Sequence, residues 1–473
     1  MSLAIVIPYY NIEFFDKTLF SLACQTDKRF KIYIGNNNSP NNPIYLIDSY
    51  RDQLDIVYKE FKNERNPISL SEQFIQCISL ISDEEWFMIL GDDDLLEQNV
   101  IADFYRYLPQ IEDNHIDVVK YSTAVINKND DLISKIYKYN SIENSADLYV
   151  KKIKNQGRSS LSEHVFRTNQ YYKYKISDYP LAWHSDDMMI LRYSDFGDIF
   201  CISDSIVLIR FSNINITGRV YSYMNEKSDA SICFYSELLS RYIEKFDYND
   251  LKIFFQILIT MSLNRYNPSD FLKHIKIGID IFGEKKVNDE ILRIKYSQII
   301  NVEADRLKIS SNNFYINTFC LYKNKKNILK EFSDKKEFNI EWIKLGNQLH
   351  CIDKERLNSI VNKSLKDEDD FIIICFENHR FKNNYIQTNL LKYIYLANIY
   401  RTDILFGNGD EIDFMCKIQD ELYWVNSVRG SNFIILFRNF FGRLLDLDFS
   451  GNINFSEKIS TLSTNKLIIH PFI

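Results

Sequence analysis

Glycine and proline are scarce, at 13 and 8 in 473 residues. That excludes collagen-like, proline-rich and glycine-rich linker architectures. Basic charge is not in excess: 57 Lys and Arg face 64 Asp and Glu, for a net charge of −7. Proteins that wrap nucleic acid present a basic surface to phosphates, so nucleic acid is not an expected partner. No stretch approaches the roughly 18 consecutive apolar residues of a membrane span. The best candidate, Phe254–Thr260, is far too short. The opening MSLAIVIPYYN has no basic n-region and runs straight into a strand-like pattern, so it is not expected to be a signal peptide. The eight cysteines are scattered, with no CxxC pair. This argues against a structural zinc site or disulfide framework and for free thiols in a reducing cytoplasm. Neither GxGxxG nor GxxxxGK[ST] occurs, which disfavours the usual dinucleotide and P-loop sites.

What is present is the patterning of a multidomain globular chain. Hydrophobic residues at 45% and charged residues at 26% exclude long disorder. A chain of this length predicts two or three domains. The first ~110 residues alternate strand and helix signals. Strands are expected at Leu3–Pro8, Phe30–Ile34, Asp55–Tyr58 and Glu85–Leu90, with helices over 12–25, Ser69–Ile81 and about 97–108. Such alternation implies a mostly parallel sheet covered on both faces, with ligands bound beyond the carboxyl ends of its strands. The turns Pro8–Asn11, Gly35–Ser39 and Gly91–Asp94 are then expected to line one crevice. Residues 117–222 read as more β-like and irregular, and 230–300 carry helical periodicity. A break near 301–313 precedes a second α/β pattern, with strands at Phe314–Phe319 and Phe371–Phe376 and helices near 326–332, 354–365 and 385–397. No short-period repeat is visible, but the two halves are compatible with one shared α/β architecture.

Three features can carry chemistry. Asp92-Asp93-Asp94 ends an apolar strand, where three carboxylates repel one another unless a cation or several N–H donors sit among them. Mg²⁺-like cations bridge one or two carboxylates to a diphosphate. A solvated acidic turn capping the next helix is the bland alternative. The pair Asp186-Asp187, after Trp183 and His184, opens an expected helix over Met188–Tyr193. It either caps that helix or supplies a general base. His184 taken alone reads as a packing residue. Asn36-Asn37-Asn38 forms a turn whose amides can read a base edge or a ribose hydroxyl, although a plain turn is the simpler reading.

Taken in order, IVIPYYN at 5–11, IGNNNSP at 34–40, EEWFMILGDDD at 84–94 and LAWHSDD at 181–187 resemble bacterial family-two glycosyltransferases of the GT-A fold, over about residues 1–225. The resemblance implies an inverting, metal-dependent transferase using a nucleotide-diphosphate sugar, UDP-linked by the family pattern, and Mn²⁺ or Mg²⁺. The implied acceptor is a hydroxyl of a growing cell-surface polysaccharide, such as capsule or O-antigen, or of a lipid-linked glycan. By the same resemblance, Pro8 and Tyr9 shape the nucleotide pocket, and Asn36 and Asn37 stand where the family has acidic residues that contact the base. Asp92 and Asp93 are placed at the ribose or diphosphate, and Asp94 or Asp93 at the metal. Asp187 is placed as the catalytic base with Asp186 beside it. Arg158, Ser160, Glu163 and His164, with Trp183 and His184, fall on the acceptor side. A hydroxyl is a poor nucleophile, so an in-line displacement needs a carboxylate opposite the leaving diphosphate.

The second half is similar, more distantly, to family-25 glycosyltransferases, through Phe314–Leu321, Asp370–Phe381, Ala397–Gly409 and Tyr423–Phe437. That family has Glu-Asp-Asp where this chain has Glu377-Asn378-His379, so the implied role is a non-catalytic module for acceptor binding or assembly, with Glu377 and His379 as residual metal ligands. The segment Phe437–Leu445 mixes aromatics with arginine. It reads as a half-buried helix or, less simply, as a peripheral contact with the inner face of the cytoplasmic membrane. The expected architecture is α/β throughout: a GT-A catalytic domain over 1–225, a helical extension over 226–305, and a smaller GT-A-like α/β domain over 306–473. A glycan-binding or scaffolding protein that keeps the fold without the activity is the rival reading. The oligomeric state is left open by the sequence.

Overall fold

The computed structural model describes residues 2–61, 69–212, 223–296, 316–345, 352–383, 385–419, 421–447 and 454–471. The expected break at 301–313 lies outside them. The chain forms two compact units, Met1–Phe254 and Phe255–Ile473.

The first unit runs β1 (Leu3–Tyr9), α1 (Phe15–Ala23), β2 (Phe30–Asn36), α2 (Ile44–Asp48), β3 (Ile56–Glu60), α3 (Leu70–Ile78), β4 (Trp86–Ile89), β5 (Leu95–Leu96) and α4 (Val100–Asp113). It continues with β6 (Val118–Ile126), β7 (Ile142–Asn144), α5 (Ser145–Ile153), β8 (His164–Arg167), α6 (Thr168–Tyr174), α7 (Ser185–Tyr193), β9 (Asp198–Arg210) and α8 (Met224–Arg241). The sheet order is β3-β2-β1-β4-β8-β6-β9-β5, with β7 also paired to β9. The first four strands are parallel, β8 is antiparallel to β4 and β6, and β6 and β9 are parallel.

Burial explains the near-continuous apolar runs. Leu3, Ile5, Ile7 and Tyr9 point into one packed layer, and Ala4 and Val6 point into the other. A strand covered on both faces has no polar side to show. α3 begins at a capping box, in which the Ser69 hydroxyl accepts from the Glu72 amide and the Glu72 carboxylate accepts from the Ser69 amide.

Of the expected β-like stretch 117–222, the described residues 117–212 are mixed, and 213–222 lie outside the described residues. Strands β6 to β9 alternate with helices α5, α6 and α7, whose short lengths and uneven apolar spacing hide the helical period.

The chain enters the second unit within α9 (Tyr248–Asn264), followed by α10 (Pro268–Phe282) and α11 (Glu284–Tyr296). Then come β10 (Ile316–Tyr322), α12 (Lys325–Phe332), β11 (Phe338–Lys344), α13 (Lys354–Lys366), β12 (Phe371–Phe376), α14 (Gln387–Ile399), β13 (Ile404–Phe406), β14 (Glu411–Ile412), β15 (Met415–Gln419) and β16 (Leu422–Val425). The unit closes with β17 (Val428–Arg429), β18 (Phe433–Phe437), α15 (Phe441–Leu445), α16 (Phe455–Ser460) and β19 (Lys466–Ile469). Its main sheet has the order β11-β10-β12-β18-β13-β19-β16-β15. In the segment 437–445, Phe440, Phe441 and Leu444 are buried, and Arg443 pairs with Asp403 at 2.7 Å, so its aromatics face the protein interior. Among the described residues no helix is long and apolar enough to cross a membrane. The seven described cysteines are free.

Gly35 lies near the carboxyl end of β2, where a Cβ would overlap the Cys77 thiol of α3 and press on Phe61 at 3.0 Å. Cys77 has no exposed surface and no room to retreat. Gly35→Ala is therefore expected to lose about 1–3 kcal/mol, as overpacked cores do, measured by urea unfolding.

Candidate active site

The centre of the first sheet places the acidic triplet. β4 lies between β1 and β8 and is fully buried, so its backbone cannot spread to relieve charge at its end. Past it, the Gly91 amide donates to the Ser162 hydroxyl at 3.0 Å. Asp92 turns back toward β1, where its Oδ2 accepts the Tyr10 and Asn11 amides, both at 2.7 Å. Asp94 Oδ1 accepts the Arg210 amide at 2.8 Å, and the Arg210 guanidinium donates through Nε to the Asp93 carbonyl at 2.8 Å. Arg210, at the end of β9, is held in turn by Asp130 at 2.7 Å and by the Asn127 carbonyl.

The carboxylates of Asp93 and Asp94 converge over Gly91. A Cβ there would stand 2.9 Å from Asp94 Oδ2 and 3.1 Å from Asp93 Oδ1. Burial raises the proton affinity of both Asp92 and Asp94. Asp92 is pushed to about 6, with its amide donors opposing the shift, and Asp94 to about 7, with the Asp93 charge adding to it.

The second acidic pair sits at the head of α7. A single 3₁₀ turn, Pro180–Ala182, leads into it, and Leu181, Ala182 and His184 all have positive φ (58°, 51° and 71°). Such backbone costs of order 1–3 kcal/mol per residue and persists only where surroundings enforce it. Here the His184 ring stacks on Phe234 of α8 at 4.6 Å. Its Nδ1 donates to Asp187 Oδ2 at 2.9 Å, and its Nε2 meets the Ser231 hydroxyl at 3.0 Å. Lys152 of α5 donates to Asp187 Oδ1 at 2.5 Å. The Lys152 and His184 contacts outweigh burial and hold Asp187 well below the usual carboxylate range. Asp186 is the opposite case: burial and the neighbouring Asp187 charge push it up to about 6, against the pull of Lys152 and His184.

A cavity of about 500 Å³ joins the two groups. It is lined by Pro8, Asp92, Asp93 and Asp94, by Trp183, His184, Asp186 and Asp187, and by Lys152, Arg158, Ser160, Ser162 and Arg210. Tyr9 faces the core instead, its ring tilted against Phe15 at 4.8 Å, with its hydroxyl donating to the Asn41 carbonyl. Asn36 donates to the Tyr58 hydroxyl and accepts from the Ser39 amide, and Asn37 donates to Gln76; neither lines the cavity. Glu163 and His164 have no exposed surface. Glu163 pairs with the buried Lys120 at 3.1 Å and accepts from Ser160, whose amide is 2.7 Å away. These cations and donors, against the cost of burial, hold the Glu163 carboxyl down to about 2. His164, beside the Lys120 cation and fully buried, is pushed down to about 3 and stays neutral. Among the described residues no group of three or more His, Cys, Asp or Glu is arranged to hold a metal ion. Lys152, Arg210 and Ser231 carry no motif and were not expected from the sequence.

A family model described as "Glycosyl transferase family 2" matches residues 4–200. Those residues form a family-two glycosyltransferase domain. Its mixed sheet with flanking helices is the GT-A arrangement that the motifs imply. The match contains both acidic groups and ends before Arg210 and the second unit. Among solved structures, the chain is similar to S. aureus TarS 1-349 in complex with UDP-GlcNAc, at 14% identity and a TM-score of 0.46, covering 63% of this chain and 87% of that one. It is also similar to the mannosyltransferase PcManGT from Pyrobaculum calidifontis in complex with GDP-Man and Mn²⁺, at 9% identity and a TM-score of 0.38, covering 61% and 77%. No curated protein matches the chain.

The Lys120–Glu163 pair underlies the loop that carries Arg158 and Ser160. Glu163→Gln leaves Lys120 buried and uncompensated, and is expected to cost about 3–5 kcal/mol. Replacing both residues by apolar ones of similar volume is expected to recover most of that loss, as read by thermal unfolding.

Proposed function

We propose that this chain transfers a sugar from a nucleotide-diphosphate donor to a hydroxyl of a growing surface polysaccharide or lipid-linked glycan, with inversion at the anomeric carbon. The observation that carries the reading is the single cavity flanked by the acidic triplet and the Asp186–Asp187 pair. An in-line displacement needs these two functions on opposite sides of one carbon.

Within the triplet, Asp93 and Asp94 suit a divalent cation such as Mn²⁺ or Mg²⁺. The carboxylates of half-buried Asp93 and buried Asp94 converge over Gly91, and a cation there would offset the repulsion that raises Asp94. Hard cations of this kind take one or two carboxylates and complete their shell with substrate phosphates. Asp93 and Asp94 would hold the ion, which offsets charge gathering on the leaving diphosphate. Arg158, Lys152 and Arg210 line the same cavity and can accept further negative charge there.

Within the acidic pair the proton goes to Asp186. Asp187 is already engaged by Lys152 and His184 through both oxygens, which fixes it as an anion. Asp186 lines the cavity with a proton affinity raised toward neutrality, as a general base needs.

Incubation with a panel of labelled nucleotide sugars and Mn²⁺ is expected to release the sugar of one donor slowly without acceptor. No turnover of any donor would overturn the reading. Asp94→Asn is expected to weaken metal-dependent nucleotide binding. Asp186→Asn and Asp187→Asn are expected to keep donor binding while transfer falls by about 10²–10⁴. Because the base acts ionised, the rate is expected to fall as pH drops through about 6. A rate that persists to pH 3–4 returns the base to Asp187.

A further inference from the structure

The two sheets share more than class. Six strands of the first unit lie in the order β2-β1-β4-β8-β6-β9, and six of the second in the order β11-β10-β12-β18-β13-β19. Taken along the chain, the members correspond one to one: β1 with β10, β2 with β11, β4 with β12, β6 with β13, β8 with β18 and β9 with β19. The senses agree as well. In each sheet the first three are parallel, the fourth is antiparallel to both neighbours, and the last two are parallel. Connection rules narrow the possible orders but do not leave only one. The side chains at the strand ends decide the matter.

In the first unit Val6 pairs with Ile89, which brings Asp92 level with Tyr9. In the second, Leu321 pairs with Phe376, which brings Glu377 level with Tyr322. Asp92 Oδ2 accepts the two amides after Tyr9, those of Tyr10 and Asn11, at 2.7 Å. Glu377 Oε2 accepts the two amides after Tyr322, those of Lys323 and Asn324, at 2.6 and 2.8 Å. Asn11 then accepts the Glu13 amide at 3.0 Å, and Asn324 accepts the Lys326 amide at 3.2 Å. A Tyr-x-Asn turn tied to a carboxylate on the neighbouring strand therefore occurs at the same place in both sheets.

The next two positions differ. Asp93 and Asp94 correspond to Asn378 and His379. His379 is buried, its ring packed 4.5 Å from Phe381 and 4.7 Å from Phe433. Behind it the Tyr121 amide meets the Glu163 carbonyl in the first unit, and the Gly407 amide meets the Phe433 carbonyl in the second. The buried pair Lys120–Glu163 thus corresponds to Phe406 and Phe433.

We infer that the second unit is a diverged copy of the first, in which Glu377 keeps the part played by Asp92, a strut tying the first turn to the central strand, while the cation carboxylates are gone. The copy separates two roles that one unit alone leaves merged. Where no cation is held, the strut remains, so Asp92 is a positioning residue and Asp93 and Asp94 carry the ion. It follows, on the transferase reading, that each chain has one cation–nucleotide site.

Titration of the full chain with Mn²⁺ alone, followed by its paramagnetic resonance, is expected to find one bound ion. Asp93→Asn is expected to weaken it at least ~10-fold without lowering Tm. Asp92→Asn is expected to change Mn²⁺ affinity far less than Asp93→Asn does while lowering Tm by roughly 2–6 °C. Glu377→Gln is expected to leave Mn²⁺ binding unchanged, and Glu377→Ala to lower Tm more than Glu377→Gln, which keeps an acceptor oxygen. The inference is overturned if Asp92→Asn loses Mn²⁺ as Asp93→Asn does. It is equally overturned if a second bound ion survives Asp93→Asn and disappears with Glu377→Gln. Should the wild type bind no Mn²⁺, the transferase reading loses its metal and unfolding decides the strut. A drop in Tm for both Asp92→Ala and Glu377→Ala supports it, and no drop for either one overturns it.

Discussion

Like charges at the end of a buried strand are the constraint from which the rest of the first unit follows. β4 packs on both faces and cannot bend away from its neighbours, so three consecutive carboxylates must be accommodated where they emerge. The fold answers each differently. Asp92 is satisfied by two backbone amides, which carry partial positive charge at no cost in side-chain entropy. Asp94 takes one amide from Arg210, whose guanidinium fixes the intervening carbonyl. Asp94 also meets the Asp93 charge, which adds to the rise in its proton affinity.

The Asp186–Asp187 turn is built on strain rather than repulsion. Leu181, Ala182 and His184 occupy left-handed backbone that none of them prefers. The return comes from outside the segment: the His184 ring lies flat on Phe234, and Asp187 is gripped from α5 by Lys152. The turn can therefore present Asp186 and Asp187 to the cavity only when α5, α7 and α8 are all assembled. Local preference yields to tertiary structure here, as it commonly does at functional sites.

These two arrangements explain what could be read from the chain alone. The central strands were legible because burial on both faces writes a continuous apolar run, as in Leu3–Tyr9 and Trp86–Ile89. The triplet and the acidic pair were legible because charge abutting such runs is conspicuous. Lys152 and Arg210 were not. Each is an ordinary cation on an ordinary element, and its role depends on distances to Asp187 and Asp93 that spacing does not encode. Tyr9, Asn36 and Asn37 were expected in the pocket by resemblance, yet Tyr9 completes the core and the amides serve Tyr58, Ser39 and Gln76. Period-2 alternation says which residues share a face, not which face meets the ligand. In the second unit, the short strands β13 to β19 are only two to five residues long, at or below the short end of the range in which pattern identifies a strand.

The correspondence between the two sheets also accounts for the most costly feature of the first. Lys120 and Glu163 are both buried, and a buried ion pair is often no more stable than apolar residues of the same volume. The second unit carries that substitution at the corresponding positions, with Phe406 and Phe433 fully buried in its core. The sheet therefore has no architectural need for the charges. What the pair supports in the first unit is the loop from Arg158 to Ser162: Glu163 accepts from the Ser160 amide and hydroxyl and draws Arg158 to 3.7 Å, while Ser162 holds the Gly91 amide. That loop borders the cavity between the acidic triplet and the Asp186–Asp187 pair. On the proposed transferase function, this charge cluster serves to orient the loop beside the ligand and not to stabilise the fold, which in the second unit closes over rings at the corresponding positions.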